Sequence, residues 1–375
     1  MDAVPRVAAK IARWEKTMTI MLVGLKLLTR TMIVMLLVGG ILTANYGPVM
    51  ASSESEKTEM IERAKKEGKV MVYTTTAVPV LQELHAAFKK KYPFLEINIY
   101  RSEAKNLLAR AQLEYNAARH MVDVFSAPFW GTEWFYEGGL LGLYKSPERE
   151  FIQDFCKDKE GYATGDYINI GIIAYNTKLV PPDKVPKSYQ DFLDPWWKGK
   201  MALDDNGLWW YGPMLEILGA EKGRGYMQKM AQQNINIRRG QALKVQLLAA
   251  GEFFAVINAF NYHVEFLKKN GAQVDWVAPL DQPTIPNIHS IAIAKNPSSP
   301  NAARLYIDFI LSREAQQIFA RFNSVPTRVD VAPTPSRLML GSDGKKLRFL
   351  SMDFPMIKRI NSLQKEFRQI FMKGR

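Results

Sequence analysis

Cysteine is almost absent from this 375-residue chain, with Cys156 standing alone. That excludes an intramolecular disulfide, a Cys-x-x-Cys redox pair and a cysteine-built zinc site, and it makes the thiol a small core residue. Histidine is nearly as scarce. His85, His120, His263 and His289 are scattered, His85 among positions that read as exposed on a helix. The Gly-x-x-x-x-Gly-Lys phosphate loop, Gly-x-Gly-x-x-Gly after the first strand, the Gly-x-Ser-x-Gly elbow and His-Glu-x-x-His are all missing, so the common enzyme signatures are absent. Repeats and low-complexity linkers are absent too.

What is present is apolar material: 47% hydrophobic and 11% aromatic residues, enough for two cored domains at about 100 to 200 residues each. The net charge of +13 lies at the ends. Residues 1–51 hold six basic and two acidic side chains, and residues 337–375 hold ten basic and three acidic, which leaves +2 for the long middle. No basic stripe remains there for nucleic acid. Near the start, cationic residues up to Arg30 precede an uncharged apolar stretch from Thr31 to Ala44, then Gly47, Pro48 and Val49-Met50-Ala51. This is the pattern of a secretory signal peptide cleaved after Ala51, with an uncleaved anchor as the alternative; Asn45, Gly47 and Pro48 sit poorly in a spanning helix.

The rest alternates between extended and helical periods. Strands are predicted over Val70–Thr74, Leu95–Tyr100 and Val122–Phe125, with helices over Val80–Phe88 and Asn106–Arg119 between them, a βαβαβ unit that builds a parallel sheet. A second α/β set follows near Tyr167–Tyr175, Met201–Leu203, Ile235–Ile237, Phe254–Ile257 and Val274–Val277, and a last strand over Ser290–Ala294 precedes helices opened by Ser299-Pro300 and Ser312. The tail holds Phe349, Met352, Phe354, Met356, Ile357, Leu363, Phe367 and Phe371 among its charges and reads as a docked amphipathic helix.

Open α/β sheets bind ligands outside the carboxyl ends of their strands. Polar residues gather at those ends: Thr74, Thr75 and Thr76, then Arg101, then Ser126, and in the second set Asp205, Asn206, Gln241, Asn258 and Tyr262. Singly, each also serves as a cap or turn residue; as a set they outline a cleft. Aromatic clusters at Phe129-Trp130, Trp134-Phe135-Tyr136 and Trp209-Trp210-Tyr211 offer either core packing or a stacking surface for a planar or cationic ligand.

Several segments resemble one family. They are Arg63-Ala64-Lys65-Lys66-Glu67-Gly68, Ile173-Ala174-Tyr175-Asn176-Thr177, Asp194-Pro195 through Lys200, Leu248-Ala249-Ala250-Gly251-Glu252, Asn296-Pro297 with Pro300-Asn301-Ala302-Ala303, and Val325-Pro326-Thr327-Arg328. In order and spacing they are similar to the solute-binding proteins of ABC importers, in the branch related to ferric-iron-binding proteins. The resemblance implies an α/β two-lobed type II periplasmic-binding fold, with residues 52–165 plus 280–325 as one lobe and 166–279 plus 326–375 as the other. Crossing strands near Tyr167 and Pro279 would form the hinge. It further implies a monomeric periplasmic protein without catalytic residues, which captures a small solute between the lobes and delivers it to an inner-membrane permease and its ATPase. A sensor that presents ligand to a membrane receptor, or an enzyme on the same fold, are the alternatives.

Ferric-binding relatives use adjacent tyrosines, whose phenolates are hard oxygen ligands. Aligned on Lys268-Lys269, this sequence has Tyr262-His263 in their place, so Tyr262 and His263 are the candidate metal ligands and Fe(III) the candidate ion, with Tyr211 or Tyr167 as further oxygen donors. The threonine and serine clusters favour a small anion, the tryptophans an organic cation.

Overall fold

A computed structural model describes residues 48–279, 284–335 and 359–372. Most of the expected signal segment, Phe349 to Ile357 of the tail, and residues 280–283 of the expected first lobe lie outside them. The chain divides after Glu62 into two units. In the first, residues 48–62 belong to the helix Pro48–Glu67; everything below concerns the second, Arg63–Arg375.

Ten strands form one sheet among the described residues. They are β1 (Lys69–Thr74), β2 (Glu96–Arg101), β3 (Val124–Pro128), β4 (Thr164–Asn176), β5 (Met201–Asp204), β6 (Asn236–Arg238), β7 (Ala255–Phe260), β8 (Val274–Val277), β9 (Ile285–Ile293) and β10 (Val325–Pro326). Their order is β2-β1-β3-β9-β4-β7-β5-β6, with β8 and β10 also paired to β4. The first three strands run parallel, as do β7, β5 and β6. Between these two parallel runs, β9 and β4 are antiparallel to each other and to their outer neighbours.

Local sequence accounts for most boundaries. In the helix Val78–Lys91, Pro79 fits the first turn, where no backbone donor is needed; Leu81, Leu84 and Phe88 form its buried stripe. The next helix runs from Ala104 to Asn116 rather than 106 to 119, because Ala118 takes a left-handed conformation (φ 54°) that ends it early. Strand β9 starts five residues before the expected Ser290. Pro286 hides its first half from sequence reading, yet β3 pairs only with residues 289–293, so the missing N–H faces no partner strand on that side.

Two cores result. One, under the β1 run, contains Tyr73, Leu107, Phe125 and Phe135. The other, under the β5 run, gathers Trp197, Trp210, Tyr211, Met214 and Met227, together with Leu363, Phe367 and Phe371 from the C-terminal helix Ile360–Phe371. The tail is thus docked, by three side chains spaced i, i+4 and i+8. Cys156 is a buried free thiol.

Asp123 fastens the β1 run. It is buried, and its carboxylate accepts from Met71 N (2.8 Å) and Ser299 N (2.9 Å). Asp123→Ala orphans one buried and one half-buried donor and is expected to lower the unfolding free energy by about 3 kcal/mol, read from urea titration.

Candidate functional site

Strand register sets the site. Thr74 pairs with Arg101 on one side and Ser126 on the other, so the carboxyl ends of β2, β1 and β3 finish in one row. Across the sheet, Asp204 and Arg238 end β5 and β6 in the same way. Between the two rows opens a cleft of about 730 Å³. The β1 side gives it Thr75, Glu103, Lys105, Pro128, Trp130 and Trp134; the β5 side gives Asp204, Asp205, Asn206, Trp209, Arg239 and Gln241. Gln364 and Arg368 of the C-terminal helix complete the wall.

The predicted residues do not all reach the cleft. Thr75, Asp205, Asn206 and Gln241 line the cleft. Thr74, Thr76 and Ser126 do not; they are buried behind it, with Thr74 Oγ1 donating to Ser126 Oγ at 3.3 Å and accepting from Thr76 N at 3.0 Å. Arg101 turns back and donates through Nε to Thr76 O (2.8 Å), which fixes the loop after β1. The Tyr262 and His263 rings touch at a tilt of 37°, centroids 4.0 Å apart, and line neither the cleft nor the cavity beside it.

The aromatic clusters separate in the same manner. Phe135, Trp210 and Tyr211 are core, and Tyr211 is committed through its hydroxyl to Glu366 (2.9 Å). Trp130 and Trp209 instead meet across the cleft, rings stacked at 4.7 Å and 22°, with Trp134 edge-on to Trp130. Such a stack contributes about 1 kcal/mol beyond burial. Beside it lies a cavity of about 20 Å³, the volume of one water, lined by Asn258 and both tryptophans.

Asn258 sits in a β-bulge. The register between β4 and β7 shifts between Ile172 and Ala174, and Asn258 takes φ 53°. A Cβ on Gly171 would collide with Asn258 Oδ1, so glycine is required there. That oxygen is buried without a hydrogen-bond partner, as are Trp209 Nε1, Gln241 Oε1 and Asp204 Oδ2. Lys244 Nζ, wholly buried, lies 3.3 Å from Asp204 Oδ2, an ion pair without hydrogen-bond alignment. Burial pushes the Lys244 ammonium down, against the pull of Asp204. Asp205 is held up, by burial first and then by Asp204 beside it. Buried polar atoms without partners are costly. Trp209, Gln241 and Asp204 line the cleft, and Asn258 lines the small cavity beside it.

Thr75 is positioned by a relay. Its Oγ1 lies 2.9 Å from His289 Nε2, and His289 Nδ1 lies 2.9 Å from Asp166 Oδ1. The His289 ring stacks on Tyr167 at 4.4 Å. Asp166 occupies a second bulge, between Gly165 and Tyr167 of β4. Tyr167 is consequently a buried packing residue, away from the cleft lining.

The donors expected for iron, Tyr262 and His263, are half-buried. Burial pushes the Tyr262 phenol up to about 12, although Arg101 pulls the other way, which disfavours a phenolate. Burial and then Lys244 push His263 down to about 4. Among the described residues, no cluster of three or more His, Cys, Asp or Glu side chains is arranged to hold a metal ion. His85 is half-buried, against the expectation of exposure, because its ring packs on Tyr306 and shares a 3.0 Å hydrogen bond with that hydroxyl.

Sequence reasoning missed Lys105, Arg239, Lys244, Gln364 and Arg368, as well as the His289 relay. Arg239 was within reach, being next to Gly240-Gln241. The others depend on helix phase and long-range contact.

Comparison with known proteins gives a consistent result. The family described as bacterial extracellular solute-binding protein matches residues 135–354. An uncharacterized protein of Haemophilus influenzae is 22% identical over 304 residues, covering 78% of this chain and 86% of that protein. Among solved structures, a Trichodesmium protein (IdiA, FutA) in complex with iron and citrate superposes with a TM-score of 0.69 at 20% identity, covering 81% of this chain and 99% of its own. The periplasmic binding protein AfuA of Actinobacillus pleuropneumoniae, with fructose-6-phosphate bound, gives 0.67 at 21%, covering 82% and 99%.

His85 and His263 both hold values of about 4 against 6.5 for a free ring. Between those limits the unfolded chain binds protons that the native one refuses, so stability is full above pH 6.5 and declines as pH falls toward 4. The double variant H85Q/H263Q is expected to lose less stability than wild type over that window in urea titrations; an equal slope would assign the loss to other groups.

Proposed function

Since this chain belongs to the bacterial extracellular solute-binding proteins, we propose that it is the substrate-binding component of an ABC importer. It captures a small hydroxylated organic anion in the cleft and delivers it to a membrane permease and its ATPase. The observation that carries this reading is the 730 Å³ cleft, lined from both halves of the sheet. Arg239, Arg368 and Lys105 supply cationic partners for an anion, Asp204, Asp205 and Gln241 accept from hydroxyl hydrogens, and the tryptophans offer apolar faces. Citrate and fructose 6-phosphate, named for two structural neighbours, are instances of that chemistry. Ferric iron alone suits the cleft less, since Tyr262 is a single phenol outside its lining.

The two parallel runs act as lobes. Residues 52–165 with 280–325 form one, and 166–279 with 326–375 the other. Strands β4 and β9 are the hinge, with crossings near Tyr167 and near Pro279. A solute that touches both sides only in the closed form shifts the population toward closure. Export to the periplasm follows from the signal pattern of residues 1–51; no described helix is long and apolar enough to cross a membrane.

Native mass spectrometry of the exported protein is expected to show a retained organic mass, and iron without an organic partner would overturn the ligand class. Solution scattering should show a smaller radius of gyration once citrate or fructose 6-phosphate is bound, whereas unchanged dimensions would refute closure. Trp130→Ala, which removes the cross-cleft stack, should weaken the bound anion about fivefold by titration calorimetry.

A further inference from the structure

We infer that the C-terminal helix Ile360–Phe371 is part of the solute site and that Arg368 is a specificity-determining residue for the anionic group of the cargo. This rests on the reading of the cleft given above. The family match ends at residue 354, before this helix begins.

Three observations carry it. First, the helix is anchored on both faces of its contact. Leu363, Phe367 and Phe371 are buried in the second core. Glu366 accepts from Arg224 Nε (2.9 Å) and from the Tyr211 hydroxyl (2.9 Å), and Arg359 pairs with Glu216. Second, the partner surface is shaped for it. A Cβ on Gly207 would come within 2.5 Å of the Phe367 ring, although the backbone there (φ −64°) suits any residue. Gly207 follows the cleft residues Asp205 and Asn206, so docking of Phe367 and the cleft wall share one loop. Third, the helical phase turns Gln364 and Arg368, four residues apart, toward the cleft. Arg368 is exposed, and unlike Arg224 and Arg359 it has no ion-pair partner among the described residues.

The packing thus fixes a cation on the wall of the cleft that also carries Asp204 and Asp205. A guanidinium placed there favours a ligand with a carboxylate or phosphate at one end and hydroxyls at the other. A helix serving only as a structural cover would need the apolar stripe and Glu366, but not Arg368.

The test uses the exported full-length protein with citrate and fructose 6-phosphate as probes, followed by tryptophan fluorescence titration. Arg368→Gln is expected to weaken the probe that wild type binds by about tenfold or more, as for a lost charged hydrogen bond, with an unchanged melting temperature, and Arg368→Lys should recover part of it. Gly207→Val, which displaces Phe367, should lose affinity to the same degree. If Arg368→Gln leaves affinity intact while Arg239→Gln lowers it, the helix is a cover only; the inference falls and the cleft reading stands. If wild type binds neither probe, the organic-anion reading falls, and this inference with it.

Discussion

The antiparallel pairing of β4 with β9 is the constraint on which the rest of the molecule depends. Each parallel run could form by itself from short βα units, but nothing local orients one against the other. These two strands do so, because β9 pairs with β3 on one side and β4 with β7 on the other. Twelve of the thirteen residues of β4 are buried, so a register slip would bury polar groups and strip the core at once. Side chains secure the register from outside the ladder. Asn261 accepts from Ile170 N (2.8 Å) and donates to Asn323 O (2.6 Å), while Gln316 donates to Asp166 O (2.5 Å) and accepts from Thr327 N (2.8 Å).

That same pairing connects to the cleft. The two bulges, at Asp166 and at Asn258, lie on β4 or on its neighbour β7, and each aims a polar side chain that straight strands would direct elsewhere. Asp166 reaches Thr75 through His289; Asn258 reaches the cavity under the Trp130–Trp209 stack. Both lobes of the proposed clamp therefore present polar groups whose positions are set by the strands about which they would move. A change in the angle between β4 and β9 changes the Thr75 hydroxyl and the tryptophan stack together.

How much of this was legible in the sequence depends on range. Every strand from β1 to β9 was indicated by a 2-period run or a buried apolar run, and Ser312 caps its helix as expected, accepting from Ala315 N. Thr75, Asp205, Asn206 and Gln241 were found because strand ends in α/β sheets are predictable cleft positions. Thr74 and Ser126, chosen by the same rule, point at each other, because they pair across the β1–β3 ladder and their hydroxyls are buried between the strands. The tryptophans were ambiguous for a similar reason. Trp209 and Trp210 are adjacent, and a single residue step of about 100° around the helix decides that the first faces the cleft and the second the core. Arg368 and Lys244 were invisible, since a single cation on an amphipathic helix reads as solvated until the surface opposite is known.

The uneven distribution of unsatisfied polar atoms bears on what the cleft requires. Trp209 Nε1 is a donor, while Gln241 Oε1, Asp204 Oδ2 and Asn258 Oδ1 are acceptors. All lie on the β5 side, whereas the hydroxyls of the β1 side satisfy one another or His289. The β1 side is therefore pre-organised and the β5 side incomplete. A ligand gains most by first satisfying the β5 side, where acceptors predominate and the buried Lys244 tempers the carboxylate of Asp204. In the proposed clamp the β1 side would then close over it through Thr75 and the tryptophan faces. Recognition of the solute would fall, in that clamp, to the half that is left unsatisfied, and closure to the half whose hydroxyls are already paired.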